Sequence, residues 1–236
     1  MSIPDNNRQN LLVTHALLTG LTPLVPIPFV DDHIYAYFMR SLVQRLGTAH
    51  GKTLNATEIE VLSAQPNRGC ALGCLGSILL YPVKKVLRKI FFFLEWKRAV
   101  DTMSHTYYHG YLIDAALAEG WFNSHGAPRV RTAIDAVLLR TNTSLVTRAF
   151  YGVVSQSKGI LLNAGQLLTR TLASNKARPS QDKVAQAVAS VEEQGKVKLG
   201  GLTNQVQAVI GGLPAEHFEK LKQELAAEIT RHHSNV

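Results

Sequence analysis

Cysteine is nearly absent from this chain: the only two in 236 residues are Cys70 and Cys74. Four residues apart, they share one face of any helix that holds them. With no second pair, a disulfide framework is excluded and a cysteine zinc site is not expected. The plain reading is two small core thiols in a reducing compartment. Aromatic residues are also scarce, at 7%, and strand-like alternation is rare. Ala, Leu and Val are left to build the core, which favours helix over sheet. No unbroken apolar run reaches the roughly 18 residues that a spanning helix needs. Leu11 to Val30 comes nearest, since it holds no Asp, Glu, Lys or Arg, but Gly20, Pro23, Pro26 and Pro28 interrupt it. A simple membrane span is therefore not expected there. The opening Met1-Ser2-Ile3-Pro4-Asp5 has no basic start and no adjacent apolar run, so no secretory signal is expected.

Catalytic motifs are missing as well. The sequence contains no GxSxG and no HExxH. Gly47-Thr48-Ala49-His50-Gly51-Lys52-Thr53 imitates a phosphate loop, but three residues separate its glycines where four are needed. It also follows a helical pattern and not a strand, so it reads as a helix C-terminal cap. Asp31, Asp32 and His33 open a helix, where carboxylates favour the dipole and cap free N–H groups.

What is present is apolar residue (46%) and positive charge, a net +8 with a pI near 9.6. The apolar share supports a real core, and the charge points to an anionic partner, either acidic lipid or nucleic acid. The excess is localised. Residues 69–98 carry six basic groups against one acidic, and residues 129–178 carry eight against one. Any anion-binding surface is expected in those two blocks.

Periodicity predicts helices throughout. One covers residues 8–20 and ends at Gly20. A second carries Val30, Ile34, Phe38, Leu42 and Leu46 on one stripe and stops at Gly47 to Gly51. A third, short one is capped by Asn55 or Thr57. After a loop at 66–69 comes a glycine-rich apolar stretch from Cys70 to Val83, with Gly69, Gly73 and Gly76 permitting close helix approach. A long helix is expected from about Pro82 to Glu119, with a kink near Gly110 and a stop at Gly120. Pro128 suits the first turn of the next. One or two helices fill 129–173, with a break near Asn142. Helices are then expected at 181–194 and 202–211, and a last one from Pro214 with Phe218, Leu221, Leu225 and Ile229 inward. The fold class is all-α: a multi-helix bundle with a glycine-rich apolar hairpin and a smaller C-terminal helical appendage. The expected division is a helical domain over 1–173, a polar linker at 174–180 and a C-terminal segment over 181–236.

One stretch carries a mechanism, Tyr81 to Arg98. At 100° per residue, Lys84, Lys85, Arg88 and Lys89 fall in one arc, and Val83, Val86, Leu87, Ile90 and Leu94 fall in the opposite one. Phe92 and Trp96 sit near the basic arc. A helix with a cationic face and an apolar face suits a membrane surface. The plain alternative is a helix with its apolar face in the core and its basic face in water. Lys84, Lys85, Arg88, Lys89, Phe92, Trp96, Lys97 and Arg98 are the candidate membrane or anion contacts. A second candidate site is Asp101, His105 and His109, spaced by four on the same helix, where two imidazoles and a carboxylate offer metal-ligating atoms. A third is the cationic set Arg129, Arg131, Arg140, Arg148, Lys158 and Arg170, a possible phosphate-binding surface for nucleic acid, although no nucleic-acid motif accompanies it.

The run Pro26-Ile27-Pro28-Phe29-Val30-Asp31 resembles the P-I-P-F-x-D signature of YcjF-like domains of unknown function, which often lie beside Era-like GTPases. The similarity continues through Leu54-Asn55-Ala56-Thr57-Glu58, the glycine-rich segment, and Thr106-Tyr107-Tyr108-His109-Gly110-Tyr111. It covers about residues 14 to 118. The resemblance implies a helical, membrane-associated module that accompanies a GTPase or another protein, and it carries over no catalytic residue. The sequence departs from it in having no GTPase domain and in the strong basic character of residues 81–98. The expectation is a non-enzymatic adaptor without a cofactor, cytoplasmic, and peripheral or shallowly inserted at an anionic membrane. Nucleic-acid binding through 129–178 is the alternative, and a metal-dependent enzyme at Asp101, His105 and His109 is the second.

Overall fold

A computed structural model describes residues 5–25, 31–65, 84–173, 189, 193 and 199–231, with no side-chain description at 31, 84–93, 172 and 173. Every element among the described residues is helical. The order is α1 (Asn6–Gly20), a 3-10 turn (Thr22–Leu24), α2 (Asp31–Ala49), α3 (Ala56–Ser63), α4 (Lys84–Ala118), α5 (Trp121–His125), α6 (Ala127–Arg140), α7 (Ser144–Gln156), α8 (Lys158–Ala173), α9 (199–211) and α10 (Ala215–Arg231). The all-α expectation holds. The glycine-rich stretch with Cys70 and Cys74, the linker 174–180, and His232 and His233 lie outside the described residues.

Local signals explain the boundaries. Asp5 caps α1 by accepting from the Arg8 backbone N–H at 2.9 Å. Asn55 and Glu58 form a reciprocal capping box at the start of α3. Gly120 takes a left-handed φ of 73° and closes α4 after Ala118. Pro128 lies in the first turn of α6. The expected break near Asn142 falls between α6 and α7. A second break at Ser157 separates α7 from α8, so three helices occupy 127–173.

α4 is the central element. It packs against α1, α2, α5, α6, α7 and α10. α1 runs antiparallel to it: Thr19 Oγ1 donates to Thr106 Oγ1 at 2.9 Å, and Arg8 reaches Asp114 at the other end. Gly110 lies where α1 and α2 approach α4 closely. A Cβ there would stand 2.6 Å from Leu12 Cδ2 and 3.1 Å from Leu42 Cδ2. The stripe Ile34, Phe38, Leu42 and Leu46 of α2 is fully buried. So are Leu12, Val13, Ala16, Leu17 and Leu18, which places that part of Leu11–Val30 in the protein core. No helix of the described residues is long and apolar enough to cross a membrane.

The C-terminal helices share this core. Leu199, Leu202, Val206 and Ile210 of α9 and Phe218, Leu221, Leu225 and Ile229 of α10 belong to the same buried cluster as α1 and α4. Tyr111 donates its hydroxyl to the Phe218 carbonyl at 3.1 Å, and the Phe218 ring meets Tyr107 and Tyr111. The smaller C-terminal part expected from sequence is thus packed into the bundle. Its apolar stripe needed a partner, and α4 and α6 supply one.

Candidate functional site

α4 spans 35 residues, against 15 in α1 and 19 in α2. At 1.5 Å per residue it is about 52 Å long, more than twice the length of α1. The Gly20 Cβ position faces Met103, so α1 ends beside the middle of α4. The N-terminal turns of α4, which hold the basic segment, extend beyond α1. The backbone at Lys84, Lys85, Arg88, Lys89 and Phe92 is helical, and their side chains lie outside the description.

The first side chains described fix the rotation of the helix. Trp96 is only 3% exposed, together with buried Ala99, Val100 and Met103. Leu94, two residues and about 200° away, is 52% exposed. Lys97, Arg98 and Asp101 are exposed on that outer side. The expected surface role of Trp96 is therefore corrected: its ring faces the core. Lys158 Nζ, at the start of α8, sits 5.5 Å from the Trp96 ring centroid. The two basic blocks of the sequence meet at that contact. The apolar arc reverses the simple amphipathic pattern, because its last member, Leu94, points to solvent.

The metal reading of Asp101, His105 and His109 is not assembled. Asp101 is exposed, His105 is half-buried and His109 is fully buried. The two imidazole centroids are 6.1 Å apart. No group of three His, Cys, Asp or Glu among the described residues is placed to hold an ion. The physical reason is Arg131. Its Nη1 lies 3.3 Å from His109 Nε2 and also donates to the Leu62 carbonyl at 2.8 Å, and its Nε donates to Asp135 at 2.9 Å. A guanidinium at the imidazole nitrogen repels a second cation. Burial, with Arg131 and then His105 adding to it, holds the His109 pKa well below the usual histidine value.

Half of the proposed nucleic-acid set makes bonds within the protein, although the Arg140 side chain is still 53% exposed. Arg129 donates to the Ile229 carbonyl at 2.7 Å, and Arg140 pairs with Glu228 at 2.6 Å. Arg131 is buried as described. These cations dock α6 onto α10 and α3. Arg148, Lys158 and Arg170 remain exposed. Asp32 and His33 are exposed at the start of α2. The Gly47–Thr53 run is a helix end: the Lys52 N–H donates to the Gly47 carbonyl at 2.9 Å, and Gly51 has φ 67°.

One cluster was invisible to sequence spacing. The buried Asp114 carboxylate accepts from Arg8 Nη1 at 3.1 Å and contacts His50 Nε2 at 2.7 Å. Lys52 Nζ donates to the Leu117 carbonyl beside it at 3.2 Å. Residues 8, 50 and 114 meet only because α1, α2 and α4 share one end. No family model, curated protein or solved structure matches this chain.

Proposed function

We propose that this protein is a non-enzymatic adaptor that binds an anionic membrane surface through the N-terminal turns of α4. The observation that carries the reading is exposed Leu94 directly opposite buried Trp96. Val83, Val86, Leu87 and Ile90 share the arc of Leu94 by helical periodicity. Lys97 and Arg98 flank Leu94 on the outer side, and Lys84, Lys85, Arg88 and Lys89 precede them in the sequence. Leu94, directed away from the bundle, seats at the boundary of acyl chains and headgroups, and the neighbouring cations meet lipid phosphates. Each contributes on the order of 1 kcal/mol, so the attachment is reversible and weakened by salt. The resemblance to YcjF-like domains adds a GTPase or other protein as the second partner and the cytoplasmic face as the setting.

Vesicle co-sedimentation tests this. The protein is expected to pellet with vesicles containing phosphatidylserine and to stay in solution with purely zwitterionic ones. Lys84→Glu with Arg88→Glu abolishes pelleting. Leu94→Asp weakens it at least about threefold, with little change in thermal stability, because the side chain is half in solvent. Equal pelleting by wild type and both variants sinks the reading. Three of the six cations offered for nucleic-acid binding already serve the fold, so that alternative is left with Arg148, Lys158 and Arg170. A gel shift at physiological salt that responds to those three would restore it.

A further inference from the structure

A polar cavity of about 340 Å³ opens where α1, α2 and α9 meet, lined by Asn10, Thr14, His15, Arg45, Thr203 and Asn204. None of its lining residues belongs to α4, which carries the membrane reading. Arg45 brings a permanent positive charge to it, and no Asp or Glu joins the lining among the described residues. A chain of hydrogen bonds fixes that charge. Arg45 Nε donates to Ser41 Oγ at 3.2 Å. Ser41 Oγ stands 3.3 Å from Nε2 of the fully buried His15, and His15 Nδ1 stands 3.0 Å from the Leu11 carbonyl. A carbonyl only accepts, so Nδ1 carries the hydrogen, and in the neutral ring Nε2 accepts from the Ser41 hydroxyl. The relay thus runs from the buried side of α1 to the guanidinium on α2. On the α1 wall, the Thr14 hydroxyl donates to Asn10 Oδ1 at 3.4 Å. That engages the oxygen of the amide and leaves its Nδ2 side to donate.

Charge and donors narrow the occupant. A metal cation is repelled by the guanidinium and finds no carboxylate in the lining. An apolar ligand would strip water from the amides and return no hydrogen bonds. An oxyanion accepts from every donor on the walls: the guanidinium, the Asn10 and Asn204 amides and the Thr203 hydroxyl. Its bonds to Arg45 are charge-assisted, and the planar fork of a guanidinium matches the oxygens of a carboxylate or a phosphate. The volume lies at the lower end of the roughly 300–1,000 Å³ of small-molecule sites, which suits a solute and not a polymer. An adjoining space of about 510 Å³ shares Asn10 and Asn204 and adds Asn6 and Gln207. It has no charged side chain in its lining, so it suits the neutral polar body of a ligand whose charged end meets Arg45.

We propose that the cavity between α1, α2 and α9 binds a small polar oxyanion, with Arg45 as its charge partner and Asn10 and Asn204 as amide donors. The anionic group is a carboxylate or a phosphate, and the test separates the two. It follows the side-chain amide signals of the ¹⁵N-labelled full chain during titration with inorganic phosphate and, separately, with succinate. Each probe is taken to millimolar concentration, with sodium chloride holding the ionic strength constant. Saturable shifts of the Asn10 and Asn204 signals are expected. A response to phosphate alone assigns a phosphate ligand, a response to succinate alone assigns a carboxylate, and a response to both assigns oxyanions in general. Arg45→Gln removes a hydrogen-bonded charge and weakens the response about tenfold or more. Arg45→Lys keeps the charge without the fork and weakens it less. Arg45 is exposed, so neither substitution opens the core, and backbone spectra confirm that each variant is folded. Shifts that chloride alone reproduces, no saturable shift with either probe, or an unchanged response in Arg45→Gln each overturn the site.

Discussion

His109 shows what a single buried side chain does to the whole molecule. Its imidazole is fully buried beside Arg131, and its pKa is depressed in the folded state. The unfolded chain therefore binds the proton more readily, and stability falls as pH drops below about 6.5. The loss approaches about 1.4 kcal/mol per pH unit until the folded pKa is reached. His217, hydrogen-bonded to the Tyr108 hydroxyl at 2.8 Å, is depressed in the same direction by partial burial. Urea unfolding at pH 7.5, 6.5 and 5.5 is expected to show falling midpoints for wild type and a shallower fall for His109→Gln. Identical pH slopes would remove His109 as the cause. In the sequence this residue looked like a metal ligand, because spacing reports that Asp101, His105 and His109 share a stripe and nothing about what covers each turn.

At the scale of the element, α4 carries both the core and the candidate surface. Its middle requires Gly110, where α1 crosses closely. Gly110→Ala inserts a methyl against Leu12 and Leu42, both fully buried. A loss of about 1–3 kcal/mol is expected, read as a lower Tm in calorimetry. Gly152→Ala is the control, since a Cβ there meets nothing within 4 Å, and a smaller or opposite change is expected. Equal losses would deny the close approach. Helix ends were legible where the signal is local, as with Asn55, Gly120 and Pro128. The break at Ser157 was not, because a single helical turn there has no proline and ordinary spacing. Trp96 was misplaced for a related reason. Periodicity defines two faces of a helix, and only the neighbours decide which one is covered.

At the scale of the molecule, one buried cluster joins α1 through α10. The C-terminal helices are held by Phe218 against Tyr107 and Tyr111, by Lys222 with Glu119 at 2.5 Å, and by Arg140 with Glu228. Removing residues 214–236 exposes those rings and takes the Ile229 carbonyl from Arg129 and the Glu228 carboxylate from Arg140. The truncated chain is expected to lose cooperative unfolding or to melt far below the full protein, as a large apolar face is returned to water. A truncated form with the full protein's Tm would mean that α10 is an independent appendage.

The sequence by itself determined that the chain is helical, where most helices start and stop, and where positive charge accumulates. Those properties depend on neighbours within a turn or two: capping, propensity and periodicity. Only the tertiary structure decided that Leu94 faces out and Trp96 in, that Arg129, Arg131 and Arg140 bond to distant parts of the chain, and that Arg8, His50 and Asp114 meet. Each of these depends on residues far apart along the chain, and their distances are set by how the helices pack.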